Sequence, residues 1–189
     1  MEQPLHLASS SPRRAELLTA LGLQFTQLGV DVDESRLGSE DPADMVLRLA
    51  SEKANAAGDA SIIIGADTAV VLGDEVFGKP RDREDAIAML TRLSGCVHQV
   101  MTGVAVRSAD SVQTALSVSD VRFRSVSAAE ASEYWDTDEP ADKAGAYAIQ
   151  GRGGIFVESM SGSYSGVVGL PVYETAKLLA EAGIHVLKD

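Results

Sequence analysis

Two charged residues stand where a core would ordinarily want carbon. On a helix, Val46, Leu49, Ala50, Lys53 and Ala57 share one face, while Arg48, Glu52 and Asn55 lie opposite. Lys53 therefore projects from the middle of an apolar stripe. Either its stem snorkels so that the ammonium reaches solvent at the core edge, or the ammonium lies beneath a cleft that takes an anionic ligand. Burial without a partner costs too much. Asp67 is the carboxylate counterpart, set in the run Ile62-Ile63-Ile64-Gly65-Ala66-Asp67-Thr68-Ala69-Val70-Val71. There it coordinates a metal, enters a hydrogen-bond network or acts as a base, or it fixes a bulge or local turn. Gly65 and Ala66 beside it are expected to leave space for a ligand close to the backbone.

Cations and hydroxyls gather in other short segments. Leu7-Ala8 runs into Ser9-Ser10-Ser11-Pro12-Arg13-Arg14, a strand leading to a Ser-rich turn and a helix N-terminus. Backbone N–H groups, hydroxyls and the positive end of the helix dipole meet there, and Arg13 and Arg14 add charge, which makes an anion site. The plainer alternative is an N-cap with two solvated arginines. Gly73-Asp74-Glu75-Val76-Phe77-Gly78-Lys79-Pro80 nearly matches a phosphate loop but has Pro80 where the magnesium-binding hydroxyl belongs. That motif is rejected, and Lys79 remains as a positioned cation for phosphate. Asp31, Asp33 and Glu34 form an acidic group of hard oxygen donors suited to Mg²⁺ or Mn²⁺, although such loops are often merely solvated. His6, His98 and His185 are scattered without zinc spacing, and no G-x-S-x-G nucleophile motif accompanies them. Cys96 and His98 read as packing residues of a strand.

The elements that must position these groups alternate. A strand over 5–8 precedes a helix capped by Ser11, with Pro12 first and Gly22 past its end. A strand at 24–30 and a helix from Asp41-Pro42 to about Gly58 follow. The apolar stretch from Ser61 to Leu72, interrupted at Gly65 to Thr68, turns at Gly73-Asp74 into a return strand over 75–77. Asp82 caps a helix that Gly95 ends. Segments near 96–107 and 112–124 flank Ser108-Ala109-Asp110-Ser111 as an antiparallel hairpin. Ser127 and Glu130 make a capping box, a strand lies near 154–160, and a last helix spans Pro171 to Ala182. This is an α/β pattern on a mixed sheet, read as a single domain over 1–189 with two lobes.

Composition narrows the partners. Sixteen Lys and Arg against 28 Asp and Glu give a net charge of −12, which argues against a nucleic-acid polymer or an anionic membrane as partner. No apolar run is long enough to span a bilayer, and Met1-Glu2-Gln3-Pro4 carries no secretion signal. One cysteine among 189 residues fits a reducing, cytoplasmic setting. The chain has five lysines, and Lys53, Lys79 and Lys143 fall in Gly-, Ala- or Pro-rich segments, a hint of positive charge concentrated locally.

Taken in order, these segments resemble the Maf family of nucleoside triphosphate pyrophosphatases. The matches are Leu7 to Arg14, Ser51-Glu52-Lys53-Ala54, Gly65-Ala66-Asp67-Thr68, Gly78-Lys79-Pro80, Asp142 to Gly151 and Gly162 to Pro171. Ala144-Gly145-Ala146-Tyr147 with Gln150-Gly151 resembles the branch acting on dTTP and UTP rather than the sister branch preferring 7-methyl-GTP. The resemblance implies an ITPase-like, Maf-like α/β fold, two-lobed with a central cleft and commonly homodimeric. It implies metal-dependent hydrolysis, with Mg²⁺ or Mn²⁺, of a nucleoside triphosphate to the monophosphate and diphosphate. Asp67 matches the proton acceptor, Lys53 and Lys79 the triphosphate lysines, and Glu34 an acidic position that joins Asp67 in metal binding. Arg13, Thr68 and Gln150 match positions linked to base selection. Ser9, Ser11, Arg14 and Lys143 complete the expected substrate contacts. Whether Asp67 is base or metal ligand stays open, as does a role as a nucleotide-binding regulator of septum formation. Ala148 stands where the family usually has glycine, and Trp135 is a second departure.

Overall fold

A computed structural model describes residues 4–58, 62–109 and 111–187. Met1-Glu2-Gln3, the expected strand start at Ser61 and Asp110 of the hairpin turn lie outside them. The described strands β1 (Leu5–Ala8), β2 (Thr26–Leu28), β3 (Ile62–Leu72), β4 (Glu75–Phe77), β5 (Val97–Ser108), β6 (Ser111–Phe123) and β7 (Val157–Ser161) form a seven-stranded mixed sheet in the order β2-β1-β3-β5-β6-β7, with β4 also pairing with β3. Two compact units divide the chain. One comprises Met1–Asp67, Thr102–Ser117 and Gly169–Asp189, and the other comprises Thr68–Met101 and Val118–Val168.

In the first unit, β1 (Leu5–Ala8) pairs in parallel with β2 (Thr26–Leu28) and with β3 (Ile62–Leu72). β2 is shorter than the 24–30 expected. Alternation along β3 decides which side chains meet which helix. Ile62, Ile64 and Ala66 join Leu5, Leu7 and Leu18 of α1 (Pro12–Ala20), with Leu178 and Leu179 of α6 (Val172–Glu181), in one core cluster. Ile63 belongs to a second cluster with Ala50 and Ala54 of α2 (Pro42–Ala56). Gly65 and Asp67 follow Ile63 at the same alternation, so they face α2. That approach is close: a Cβ on Gly65 would lie 2.1 Å from the Ala50 carbonyl oxygen and 2.7 Å from the Ala54 nitrogen. Gly103 of β5 (Val97–Ser108) is equally filled, its Cβ position falling 2.4 Å from the Val46 carbonyl oxygen. The space expected for a ligand at Gly65 is thus taken by the backbone of α2. β3 runs unbroken through Gly65 to Thr68, where its apolar pattern is interrupted. The correction has one cause: small residues here admit a helix.

The second unit is built on the remaining halves of β3, β5 and β6 (Ser111–Phe123), together with β4 (Glu75–Phe77) and β7 (Val157–Ser161). β4 returns antiparallel on β3 through the Gly73-Asp74 turn, and β7 pairs antiparallel with β6. β5 and β6 form the expected hairpin, as the Phe123 N–H to Cys96 carbonyl bond and the Gln99–Asp120 side-chain bond both require. α3 (Arg83–Leu93), capped by Asp82, packs on α4 (Ala128–Trp135), whose capping box of Ser127 and Glu130 is formed. Val70, Phe77, Leu90, Val121, Phe123, Tyr147 and Phe156 fill the core between them. The strand expected over 154–160 begins only at Val157, because Arg152–Phe156 is a 3-10 turn. The short helix α5 (Tyr164–Val168) also lay outside the sequence reading.

Candidate active site

The close seating of α2 on Gly65 has a chemical consequence. Lys53, one helical turn beyond Leu49 and Ala50, is carried over the same face of β3 two residues further along, where Asp67 points. Its Nζ donates to Asp67 Oδ1 and to Glu34 Oε1, both at 2.6 Å. Lys53 is 7% exposed and Asp67 8%, whereas the Glu34 side chain is half exposed. The buried ammonium is therefore compensated by two carboxylates, one inside and one at the surface.

Arg48, one face round on α2, fixes the loop that carries Glu34. Its Nε and Nη2 donate to the Glu40 carboxylate at 2.8 Å each, and Nη2 also reaches the Ser35 carbonyl at 3.1 Å. Burial pushes the Asp67 carboxyl above its ordinary range, outweighing the downward pull of Lys53 and Arg14.

The Ser-rich turn is organised about Ser9 rather than about a side-chain cap. Ser9 Oγ accepts from the Ser11 N–H at 3.2 Å and from Arg14 Nη1 at 3.1 Å. Arg14 Nε donates to the Gly169 carbonyl at 2.8 Å, tying the start of α1 to the segment before α6. Removal from solvent lowers the Arg14 pKa, and the Asp67 charge acts in the opposite sense. Gln27 of β2 closes the turn from the other side, donating to the Ser9 carbonyl at 2.7 Å. Arg13 is half-buried on α1. The sequence reading missed Gln27, which does not break the pattern of its strand, and held Gly169 only as part of the Gly162 to Pro171 match.

In the second unit, Thr68 is half-buried in β3 and Lys79 is exposed after β4. The Gly145 N–H donates to the Gly78 carbonyl at 3.0 Å, which holds Lys79 and Lys143 on adjoining segments. Lys143 is ion-paired with Asp142. Gln150 is exposed on the turn before Arg152–Phe156.

A profile of Maf-like proteins matches residues 4–182. The chain belongs to the Maf family.

Among curated Maf relatives, a dTTP/UTP pyrophosphatase of Hahella chejuensis is 51% identical, covering 98% of this chain and 95% of its own. A protein of the same name from Saccharophagus degradans is 52% identical over 93% of this chain and 87% of its own. Another, from Pseudoalteromonas atlantica, is 50% identical over 95% and 97%.

The donor set of this Maf chain fits a divalent cation. Asp67 and Glu34 already converge on one cationic nitrogen, and two carboxylates plus substrate phosphates is the usual Mg²⁺ arrangement. Among the described residues no group of three or more His, Cys, Asp or Glu assembles as an all-protein cage. Asp31 and Asp33 are exposed, and Asp33 caps the Ser35 N–H instead.

Proposed function

We propose that this chain hydrolyses dTTP and UTP to the corresponding monophosphate and diphosphate. The observation that carries the substrate assignment is half identity, over nearly the full length, to relatives bearing that activity as their name. The geometry around Asp67 and Lys53 supports a reading of the chemistry. Water attacks the α-phosphorus, the bond from that phosphorus to the bridging oxygen breaks, and diphosphate leaves. Asp67 takes the proton of the attacking water; burial raises its basicity toward that task. Lys53 offsets charge developing on the phosphoryl oxygens and, through its bond to Asp67, favours the ionised form of that carboxyl against the pull of burial. Lys79, Lys143, Arg13, Arg14 and the Ser9–Ser11 turn bind and orient the phosphates. Glu34 and Asp67 would hold Mg²⁺ or Mn²⁺, which when bound neutralises phosphate charge and acidifies water. Gln150, with Thr68 and Arg13 contributing to base selection, offers an amide donor and acceptor to the O4 and N3–H edge of uracil or thymine.

The test is a panel of dTTP, UTP, CTP, 7-methyl-GTP and ITP with Mg²⁺ or Mn²⁺ and product identification. dTTP should give dTMP and diphosphate, and Asp67→Asn should remove nearly all turnover. Stepwise release of orthophosphate, or an active Asp67→Asn, would overturn the reading. The same reading places the chain in the cytoplasm as a homodimer. Among the described residues no helix is long and apolar enough to cross a membrane, and sedimentation of the purified chain checks the dimer.

A further inference from the structure

Gln150 is exposed, yet the turn that carries it is held from beneath by two residues with no assigned part in the reaction. Glu139 opens the 3-10 turn Glu139–Asp142. Its Oε1 accepts from the Tyr134 hydroxyl at 2.6 Å and from the Gly153 N–H at 3.0 Å, and Oε2 accepts from the Arg152 N–H at 3.0 Å. Tyr134 in turn accepts from the Ala148 N–H at 3.1 Å. The backbone on both sides of Gln150 is thus pinned, at Ala148 before it and at Arg152 and Gly153 after it.

The packing is close as well as bonded. A Cβ at Gly151 would lie 2.4 Å from Glu139 Oε2, and one at Gly153 would lie 2.5 Å from the Tyr134 hydroxyl. Burial alone would raise the Glu139 pKa, but the bonds from Tyr134, Gly153 and Arg152 outweigh it and hold the carboxyl below its ordinary range. The acceptor therefore stays ionised at neutral pH, the state that binds N–H donors most strongly.

We infer that Glu139 and Tyr134 are positioning residues that set the base selectivity of this enzyme by fixing the Ala148–Gly153 turn under Gln150. The inference rests on the pyrimidine-reading role proposed for Gln150. An amide carries both a donor and an acceptor, so a mobile one can turn to suit cytosine as well as uracil. Selectivity between those bases then comes from where the backbone holds it. Leaving a base-edge group unpaired is what makes such a site discriminate.

The experiment compares kcat/KM for UTP and CTP in the full chain with Mg²⁺. Variants are Glu139→Gln, Tyr134→Phe, Gln150→Ala and the double Glu139→Gln/Gln150→Ala. The UTP:CTP ratio should fall about tenfold in Glu139→Gln, the scale of one lost hydrogen bond to a charged group. Tyr134→Phe should lower the ratio by less, and it tests the same brace if Glu139→Gln fails to fold. The double variant should be no less selective than Gln150→Ala alone, since both changes act through one group. A ratio that Gln150→Ala lowers and both brace variants preserve would overturn the inference while leaving the reading of Gln150 intact. Extra loss of selectivity in the double variant would also overturn it. An unchanged ratio in Gln150→Ala would instead defeat the base-reading role, and the inference with it.

Discussion

Replacing Lys53 with methionine keeps the unbranched stem and removes only the charge. Asp67 would then be a buried carboxylate without its 2.6 Å partner, facing a second carboxylate at Glu34. At the effective dielectric of protein sites, a pair at this separation is worth about 6 kcal/mol gross, and breaking one buried partner typically costs about 3–5 kcal/mol. Glu34 is half exposed, so its lost pairing adds no more than about 1 kcal/mol. Arg14 still acts on Asp67, which pulls the total toward the low end, about 3 kcal/mol by the same buried-pair scale. Chemical denaturation near pH 7 measures it. Lys53 holds the Asp67 pKa down, so its loss raises that pKa further, and part of the deficit should disappear on acidification as Asp67 protonates. Adding Asp67→Asn to Lys53→Met should recover about 2 kcal/mol, a coupling of the size that direct charge partners show. If the two substitutions are additive, or Lys53→Met costs under about 1 kcal/mol as a solvated pair would, the buried ion cluster is not what stabilises α2 on β3.

Two further outcomes follow from the packing. His98 is buried, bonds Tyr147 through Nε2 at 2.8 Å, and has its pKa lowered from 6.5 to about 4 by desolvation. Its folded pKa lies below its unfolded one, so its contribution is intact above pH 6.5 and declines as pH falls toward 4, by about 3 kcal/mol in all. Denaturation curves across that window should show the decline, and His98→Gln should flatten it; an unchanged pH slope would mean another group is responsible. Gly65→Ala puts a methyl 2.1 Å from the Ala50 carbonyl oxygen, so α2 must lift and carry Lys53 from Asp67. Stability should fall by about 1–3 kcal/mol or more and dTTP turnover should drop with it, whereas Gly78→Ala, with open space around it, should leave the denaturation midpoint unchanged.

The parts of the site legible in the sequence are those that break a local rule. Lys53 interrupts an apolar helical stripe and Asp67 an apolar strand, and each is intolerable alone; their meeting is the solution that satisfies both. The caps at Asp82 and Ser127 were readable because each rests on a bond within three residues, and the hairpin because its turn and strand alternation are local patterns; Ser11 takes the N-cap position without a side-chain cap bond. Gly65 also broke a rule, but its meaning was ambiguous: an absent Cβ admits a ligand or a helix, and only the seating of α2 decides which. Glu139 and Tyr134 break nothing. An acid before a proline and an aromatic in an amphipathic helix are ordinary, and their value lies in donors 13 or 14 positions further along the chain. Local patterns expose a charge that needs a partner, but a backbone N–H that needs one is present at almost every residue and so marks none. The brace under Gln150 is made of such bonds, so the residues that orient a site are harder to read from sequence than the charges that react in it.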